Sequence, residues 1–340
     1  MSRYNYSLPF DFQSSSNRLV FLAPMEGVTN VYFRSLCKSF GADMVYTEFI
    51  SADALIRHVD KIQGKLKIIN SEHPIAVQIY GQDKDTMVEA ARICEEMQPD
   101  FLDLNFGCPV KKIVRRNAGA GMLRVPKKMI EITQQVVHSV NIPITVKTRL
   151  GWDENSKIIV DLAERLQDTG IALLTIHGRT GSQMYSGKAD WNLIGAVKNN
   201  PRMYIPICGN GDIVSPQQCE QAFNRYGVDA VMIGRASIGA PWIFQEVKYY
   251  LKYNDLAPKK SFEYYLSVLK QQILQSVSQL GERQGILNSR RHIVASPLFK
   301  KMSNFKLTKI AMLQAITVSS LFEIMDNISN WAKSEFGTNC

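Results

Sequence analysis

Eight short apolar runs of β-favouring residues recur in the first 240 positions. They lie at Leu19 to Ala23, Asp43 to Thr47, Ile75 to Ile79, Phe101 to Asn105, Ile144 to Thr148, Leu173 to His177, Ile205 to Gly209 and Ala230 to Gly234. Between them, segments such as TMVEAARICEEM and NSKIIVDLAERLQD carry apolar residues every three or four positions, the spacing of a helix with one buried face. Eight strand-helix units predict an α/β fold, a (β/α)8 TIM barrel whose parallel strands are buried on both faces and need not alternate. An open doubly wound sheet is the competing arrangement, but it would more naturally bring an early GxGxxG turn, which is absent. After Pro241-Trp242 the strand-like runs stop. SFEYYLSVLKQQILQSVSQL and KIAMLQAITVSSLFEIMDNISNWAKS then predict long helices, so we expect a barrel over residues 1–242 and a smaller all-helical domain over 243–340.

The ends of the runs read APMEG, QIYG, NFGCP, KTRLGW, IHGRT, GNGD and GRA. In a barrel these carboxyl ends share the face that carries active sites, so residues far apart in sequence are expected to meet there.

Composition narrows the class. The chain has 340 residues, 45% hydrophobic and 21% charged, enough to bury a large core. The start, MSRYNYSLPFDFQSSSN, lacks the apolar run of a signal peptide, and no apolar stretch reaches the roughly 18 residues of a membrane span, so no membrane association and a cytoplasmic address are expected. The six cysteines, at 37, 94, 108, 208, 219 and 340, form no CxxC pair; they read as reduced thiols, with no structural metal. Charge is distributed unevenly. Residues 241–340 hold 13 Lys/Arg against 7 Asp/Glu, a balance of +6 out of the chain's +9, which points to contact with a polyanion.

GNGD (209–212) and GRA (234–236) end the seventh and eighth runs, the usual phosphate locus of this barrel. Glycines there let backbone N–H groups approach a phosphate, and Arg235 adds charge. Lys147 and Arg149 alternate in TVKTR. Lys147 either pairs with a buried acid or faces a ligand, and His177 is either a satisfied core histidine or a donor to a ligand carbonyl. Cys108, in NFGCP, is either a packing residue or a reactive thiol. Gly107 is expected to permit a tight approach there and Pro109 to restrict the backbone. Lys111, Lys112, Arg115 and Arg116 make the following loop basic, suited to a phosphate backbone.

APMEGVTN, QIYG, DLNFGCPVKK, GAGML, VKTRLGW, IHGRT, YSGKADW, GNGDI and GRASIGAPW, in this order over nearly the whole chain, resemble the bacterial-type tRNA-dihydrouridine synthase family. That resemblance implies an FMN-dependent enzyme that reduces the C5–C6 bond of a tRNA uridine, with NADPH (or NADH) as reductant and a helical RNA-binding domain. It implies that Pro24 and Met25 border the flavin and that Gln78 bonds its ring. Lys147 and His177 would hold its polar edge or phosphate side, and the Asn210, Gly211, Asp212, Gly234 and Arg235 loops its phosphate. It implies further that Asn105 and Arg149 frame the uracil, that Lys111, Lys112, Arg290 and Arg291 contact RNA, and that Cys108 is the catalytic acid, with an ordinary thiol pKa near 8.5. Two readings stand beside it: an FMN barrel acting on a free pyrimidine or another enone, and a non-catalytic RNA-binding protein. The chain departs from the commoner family form at Gly181-Ser182, where Arg-Glu is frequent, and at Ala295-Ser296, where Trp-Tyr is frequent. The first departure is expected to remove a charged contact and the second to alter packing.

Overall fold

The computed structural model describes residues 8–12, 18–300 and 305–336. The chain divides into two compact units, Met1–Gly234 and Arg235–Cys340. Among its described residues the first is built on nine strands: β1 (Leu19–Leu22), β2 (Val45–Tyr46), β3 (Ile50–Ser51), β4 (Ile75–Tyr80), β5 (Phe101–Asn105), β6 (Ile144–Arg149), β7 (Leu173–His177), β8 (Ile207–Asn210) and β9 (Ala230–Ile233). All pairings are parallel, in the order β1-β9-β8-β7-β6-β5-β4-β2, and β3 is a spur on β4. The ring is closed between β1 and β2 by a parallel bridge of Phe21 with Met44. There the Leu22 N–H donates to the Met44 carbonyl (2.9 Å) and the Asp43 N–H to the Val20 carbonyl (2.8 Å). This closure excludes an open sheet and makes the unit an eight-staved barrel.

Departures from the expected runs have local causes. The seventh stave begins at Ile207 because Pro206 has no N–H and the Ile205 N–H is already given to the Gln167 side-chain oxygen at 3.1 Å. The second shortens to Val45–Tyr46; just before it Asp43 turns its carboxylate onto the Val20 N–H (2.6 Å). The helix predicted within 86–97 spans Lys84–Glu95. Asp83 caps it by accepting from the Thr86 N–H (2.9 Å), a bond worth about 1 kcal/mol, and Met87, Ala90, Ala91 and Cys94 form its buried stripe.

The barrel interior is stratified. Leu19, Phe21, Ala76, Phe101 and Leu173 pack together near the strands' amino ends. Phe10 lies against them, its ring 5.6 Å from that of Phe21 and 6.4 Å from that of Phe101. The same inward rows turn polar towards the carboxyl ends, because side chains two apart on a strand share a face. Register then makes neighbours of distant residues: Gln78 pairs with Asp103, Asn105 with Lys147, Arg149 with His177, and His177 with Asn210.

Among its described residues the second unit has helices joined by turns and no strand, beginning with a short 3-10 turn at Arg235–Ser237. Leu266, Leu269, Ile273, Ile286, Ile293, Phe299, Met312, Leu321 and Met325 share one core. The single pattern expected over 309–334 is broken into helices Phe305–Gln314 and Val318–Phe336, because the Thr317 hydroxyl accepts from the Ser320 N–H (3.2 Å) and starts a new helix.

Candidate active site

Asp103 is fully buried on the inward face of β5. Its Oδ2 accepts from Gln78 Nε2 at 2.6 Å and its Oδ1 from the Thr145 hydroxyl at 2.5 Å. Burial lifts the Asp103 carboxyl to about 6, against the pull of those two bonds and of the Lys147 charge. Gln78 Oε1 accepts from Asn105 Nδ2 (2.8 Å), and Asn105 Oδ1 accepts from the backbone N–H groups of Gly107 (3.0 Å) and Cys108 (2.9 Å). An unbroken chain of bonds thus runs from a buried carboxylate to the turn that carries the thiol.

That turn is also held from the other side, by the 3-10 segment Gly119–Arg124, whose Ala120 N–H donates to the Cys108 carbonyl at 2.9 Å. Gly119 has φ +55°, and a Cβ there would fall 2.7 Å from the Cys108 carbonyl oxygen and 3.1 Å from its Cβ. A Cβ at Gly107 would meet nothing closer than 3.5 Å, so the close approach expected at Gly107 is made at Gly119 instead. Gly119→Ala should therefore destabilise the protein by about 1–3 kcal/mol through left-handed strain and the clash, while Gly107→Ala should be nearly silent. Thermal melting of the two variants checks this, and equal melting temperatures would refute it.

Cys108 itself is 8% exposed, packed with Ile113, Ala118, Phe49 and Tyr80. Burial raises its pKa above the ordinary thiol value, opposed by the Val110 N–H and the charge of Arg149. The unperturbed value expected from sequence does not hold: the thiol is more firmly protonated at neutral pH than a free cysteine.

Beside it, Lys147 Nζ reaches Asn210 Oδ1 (3.2 Å), and Asn210 Nδ2 donates to the Met232 carbonyl (2.8 Å). No carboxylate lies within ion-pair distance of Lys147 among the described residues. Burial, then the Arg149 charge, lower its pKa to about 8. Arg149 is 2% exposed and binds three backbone carbonyls: Nε donates to Gly107 (2.7 Å), and Nη1 to Thr180 and Met184 (each 2.8 Å). It fastens the thiol turn to the loop after β7. Arg179, unassigned from sequence, does likewise beyond His177. It donates to the Ser186 and Gly187 carbonyls (3.0 and 2.6 Å) and to the Asp212 carboxylate (2.8 Å), which also accepts from the Ala189 N–H (2.8 Å). Asp212 is thereby tied to a loop. Gly209 and Gly211 have packing reasons of their own: a Cβ at Gly209 would fall 2.2 Å from the Trp191 ring, and one at Gly211 2.7 Å from Ala189 Cβ and 3.0 Å from the His177 ring. Pro24 and Met25 follow β1; the Met25 carbonyl accepts from the Val28 and Thr29 N–H groups, and Met25 Sδ sits 3.8 Å from where a Gly234 Cβ would lie.

Residues 21–323 match the family described as dihydrouridine synthase. The chain belongs to that family. It is 36% identical over 288 residues to tRNA-dihydrouridine synthase B of Pseudomonas aeruginosa, covering 85% of this chain and 84% of the relative. It is 37% identical over 285 residues to a probable tRNA-dihydrouridine synthase of Rickettsia prowazekii (84% and 86%), and 38% over 287 residues to tRNA-dihydrouridine synthase B of Vibrio cholerae (83% and 87%). Among solved structures, 2-naphthoyl-CoA reductase in complex with 2-naphthoyl-CoA is similar in fold, with TM-score 0.55, 12% identity and coverage of 68% of this chain and 50% of that one. The amine oxidase for 6-hydroxypseudooxynicotine from Pseudomonas geniculata N1 gives 0.54, 13%, 69% and 47%. This chain spans about half the length of those two proteins.

Of the two departures from the commoner dihydrouridine synthase form, the one at Gly181 has a steric reason, and the one at Ser296 falls on a buried residue. A Cβ at Gly181 would fall 2.9 Å from Trp152 Cε3. Ser296 is fully buried, and a Cβ at Gly239 would lie 2.8 Å from its backbone nitrogen. Lys111, Lys112, Arg115 and Arg116 are all exposed on and just after the short helix Lys111–Val114. In the second unit Arg291 is exposed, whereas Arg290 is half-buried, with a buried Nε that has no hydrogen-bond partner. Buried His292 accepts from the Gly239 N–H (3.3 Å), and burial lowers its pKa to about 3, so it is neutral. Cys37, Cys94, Cys108, Cys208 and Cys219 are free thiols and buried; Cys340 lies outside the described residues. No helix among the described residues is long and apolar enough to cross a membrane.

Proposed function

We propose that this chain reduces the C5–C6 double bond of a uridine in tRNA in the cytoplasm, with Cys108 as the acid, FMN as the flavin and NADPH as the reductant. The observation that carries this reading is a protonated thiol, fixed by Asn105 and Gly119, beside a lysine that bonds no acid. Family membership sets aside the readings as an enzyme of free pyrimidines and as a non-catalytic RNA-binding protein. The donor set fits a flavin: the ammonium of Lys147 calls for a partner with developing negative charge, His177 and Asn210 are register partners on β7 and β8, and Gln78 stands on β4 across the barrel's polar end. Pro24 and Met25 would border that group, and Asn210, Gly211, Gly234 and the next residue Arg235 would take its phosphate. Asp212 would act through Arg179, holding the loop over it.

When bound, the reduced flavin supplies hydride to C6 of the uracil. Cys108 delivers the Sγ proton to C5, and the thiolate left behind is stabilised by the charges of Arg149 and Lys147 before it regains a proton from solvent. Asn105 and Arg149 hold the turn from which that proton moves and border the uracil. Lys111 and Lys112 meet the RNA backbone beside it, and Arg290 and Arg291 serve the helical unit, whose positive balance suits a folded polyanion. A uridine drawn out of its stack costs a few kcal/mol, which such contacts offset.

The test uses the purified protein with deproteinised tRNA, free uridine and NADPH, with dihydrouridine measured by mass and the heat-released cofactor identified. Dihydrouridine in tRNA alone, with FMN released, is expected. Turnover of free uridine at a similar rate, or a released cofactor other than FMN, would overturn the corresponding part of the reading.

A further inference from the structure

The guanidinium carbon of Arg124 lies 3.5 Å from the centroid of the Trp152 ring. The same indole is packed so closely by Gly181 that a Cβ there would fall 2.9 Å from Cε3 and 3.1 Å from Cζ3. The two loops are stitched by the Gly181 N–H to the Gly151 carbonyl (2.9 Å) and the Ser182 N–H to the Trp152 carbonyl (2.8 Å), so the ring is fixed at its backbone as well. Arg124 is exposed, yet among the described residues it makes no ion pair. A cation committed to an aromatic ring, with no acid to satisfy it, is arranged for an anion that arrives from outside.

Position says which anion. Arg124 ends the 3-10 segment that bonds the Cys108 carbonyl, and in that segment a Cβ at Gly121 would come within 3.0 Å of the Val114 carbonyl oxygen. The segment therefore packs against both the thiol turn and the helix that bears Lys111 and Lys112. Five exposed cations, Lys111, Lys112, Arg115, Arg116 and Arg124, belong to this stretch, and none makes an ion pair among the described residues. An arginine laid flat on an indole gives up rotamer freedom in advance and presents its N–H edge for two parallel bonds to one phosphate.

We propose that Arg124 binds a backbone phosphate of the tRNA beside the thiol-bearing turn, with Trp152 as the residue that positions it. This inference rests on tRNA being the substrate. Neither residue belongs to the flavin set, so flavin chemistry should not change.

The test titrates tRNA against the holoprotein over a salt series for the native chain, Arg124→Ala, Arg124→Lys, Trp152→Leu and the Arg124→Ala/Trp152→Leu pair. Arg124→Ala should weaken binding about 5- to 10-fold and lower the slope of log affinity against log salt by about one. Arg124→Lys should restore the slope but not the affinity. Trp152→Leu should weaken binding alone and add nothing once Arg124 is gone, because its effect passes through that side chain. FMN content and its reduction by NADPH should stay unchanged throughout. Unaltered affinity and slope in Arg124→Ala would overturn the proposal. So would a Trp152→Leu loss that persists without Arg124, which would mean that the ring stacks on a base. A native protein that does not bind tRNA at all would instead bring down the substrate assignment, an outcome separate from variants that match a binding parent.

Discussion

Replacing Cys108 with alanine should lower tRNA reduction by about 10²- to 10⁴-fold, the usual value of a positioned acid, while FMN reduction by NADPH stays near the native rate. The two halves separate because only the second needs a proton at C5. Burial makes the effect cleaner than composition suggests, since a thiol held above its ordinary pKa is almost wholly protonated at neutral pH and no other thiol is placed on this turn. Stopped-flow reduction of the flavin followed by reoxidation with tRNA is the measurement. Near-native reoxidation with a normal dihydrouridine yield would reduce Cys108 to a packing residue among Ile113 and Ala118. Serine, similar in size but far less acidic, should remain slow; full recovery with serine would show that occupancy of the turn, not proton donation, is what matters.

Lys147→Met should separate activity from stability. With the cation gone, tRNA reduction should fall by about 10²-fold or more, as for loss of one preorganised electrostatic donor. The flavin-free protein should nevertheless become more stable at pH 7. A lysine lowered to about 8 in the fold and ordinary when unfolded binds fewer protons in the native state between about pH 8 and 10.5. Native stability therefore rises with pH across that window, and the full cost of burying the charge is present below pH 8. Methionine removes that cost, a gain on the order of 1–2 kcal/mol at pH 7 after allowance for solvent screening and for the cation that Asp103 loses. The gain should shrink as pH approaches 10.5. Melting curves of the flavin-free proteins at pH 7 and pH 10 decide it; a less stable methionine variant at pH 7 would make Lys147 a structural ion.

The barrel was legible because parallel strands buried on both faces leave continuous apolar runs with polar ends, and the runs ending at Asn105 and His177 are strands to the residue. Edges blurred where a side chain took over a backbone partner, as Gln167 does before Ile207 and Thr317 does within the last helical pattern. At the site, residue types were readable but the distribution of work among them was not. GNGD reads as a phosphate turn, and the structure adds that Gly209 makes room for Trp191 while Asp212 holds Arg179. Arg149 reads as a substrate ligand, and its Nε and Nη1 donate to backbone carbonyls. Asp103 does not stand out in the sequence although it shares the inward face of β5 with Asn105; a lone acid in FLDLN, two residues before an amide, is the available signal. Gly119 could not be singled out, because the clash that requires glycine there is with Cys108, eleven residues away in sequence.

The bonds from Asp103 to the thiol turn have a sense of direction. An ionised carboxylate can only accept, so Gln78 must offer it the amide nitrogen, which leaves the Gln78 oxygen to receive from Asn105 and the Asn105 oxygen to receive from the peptide N–H groups of Gly107 and Cys108. Either amide, rotated end for end, would set donor against donor somewhere along the line. One negative charge deep in the barrel thus dictates the orientation of two otherwise symmetrical side chains, and the peptide bearing the acid inherits a single allowed setting.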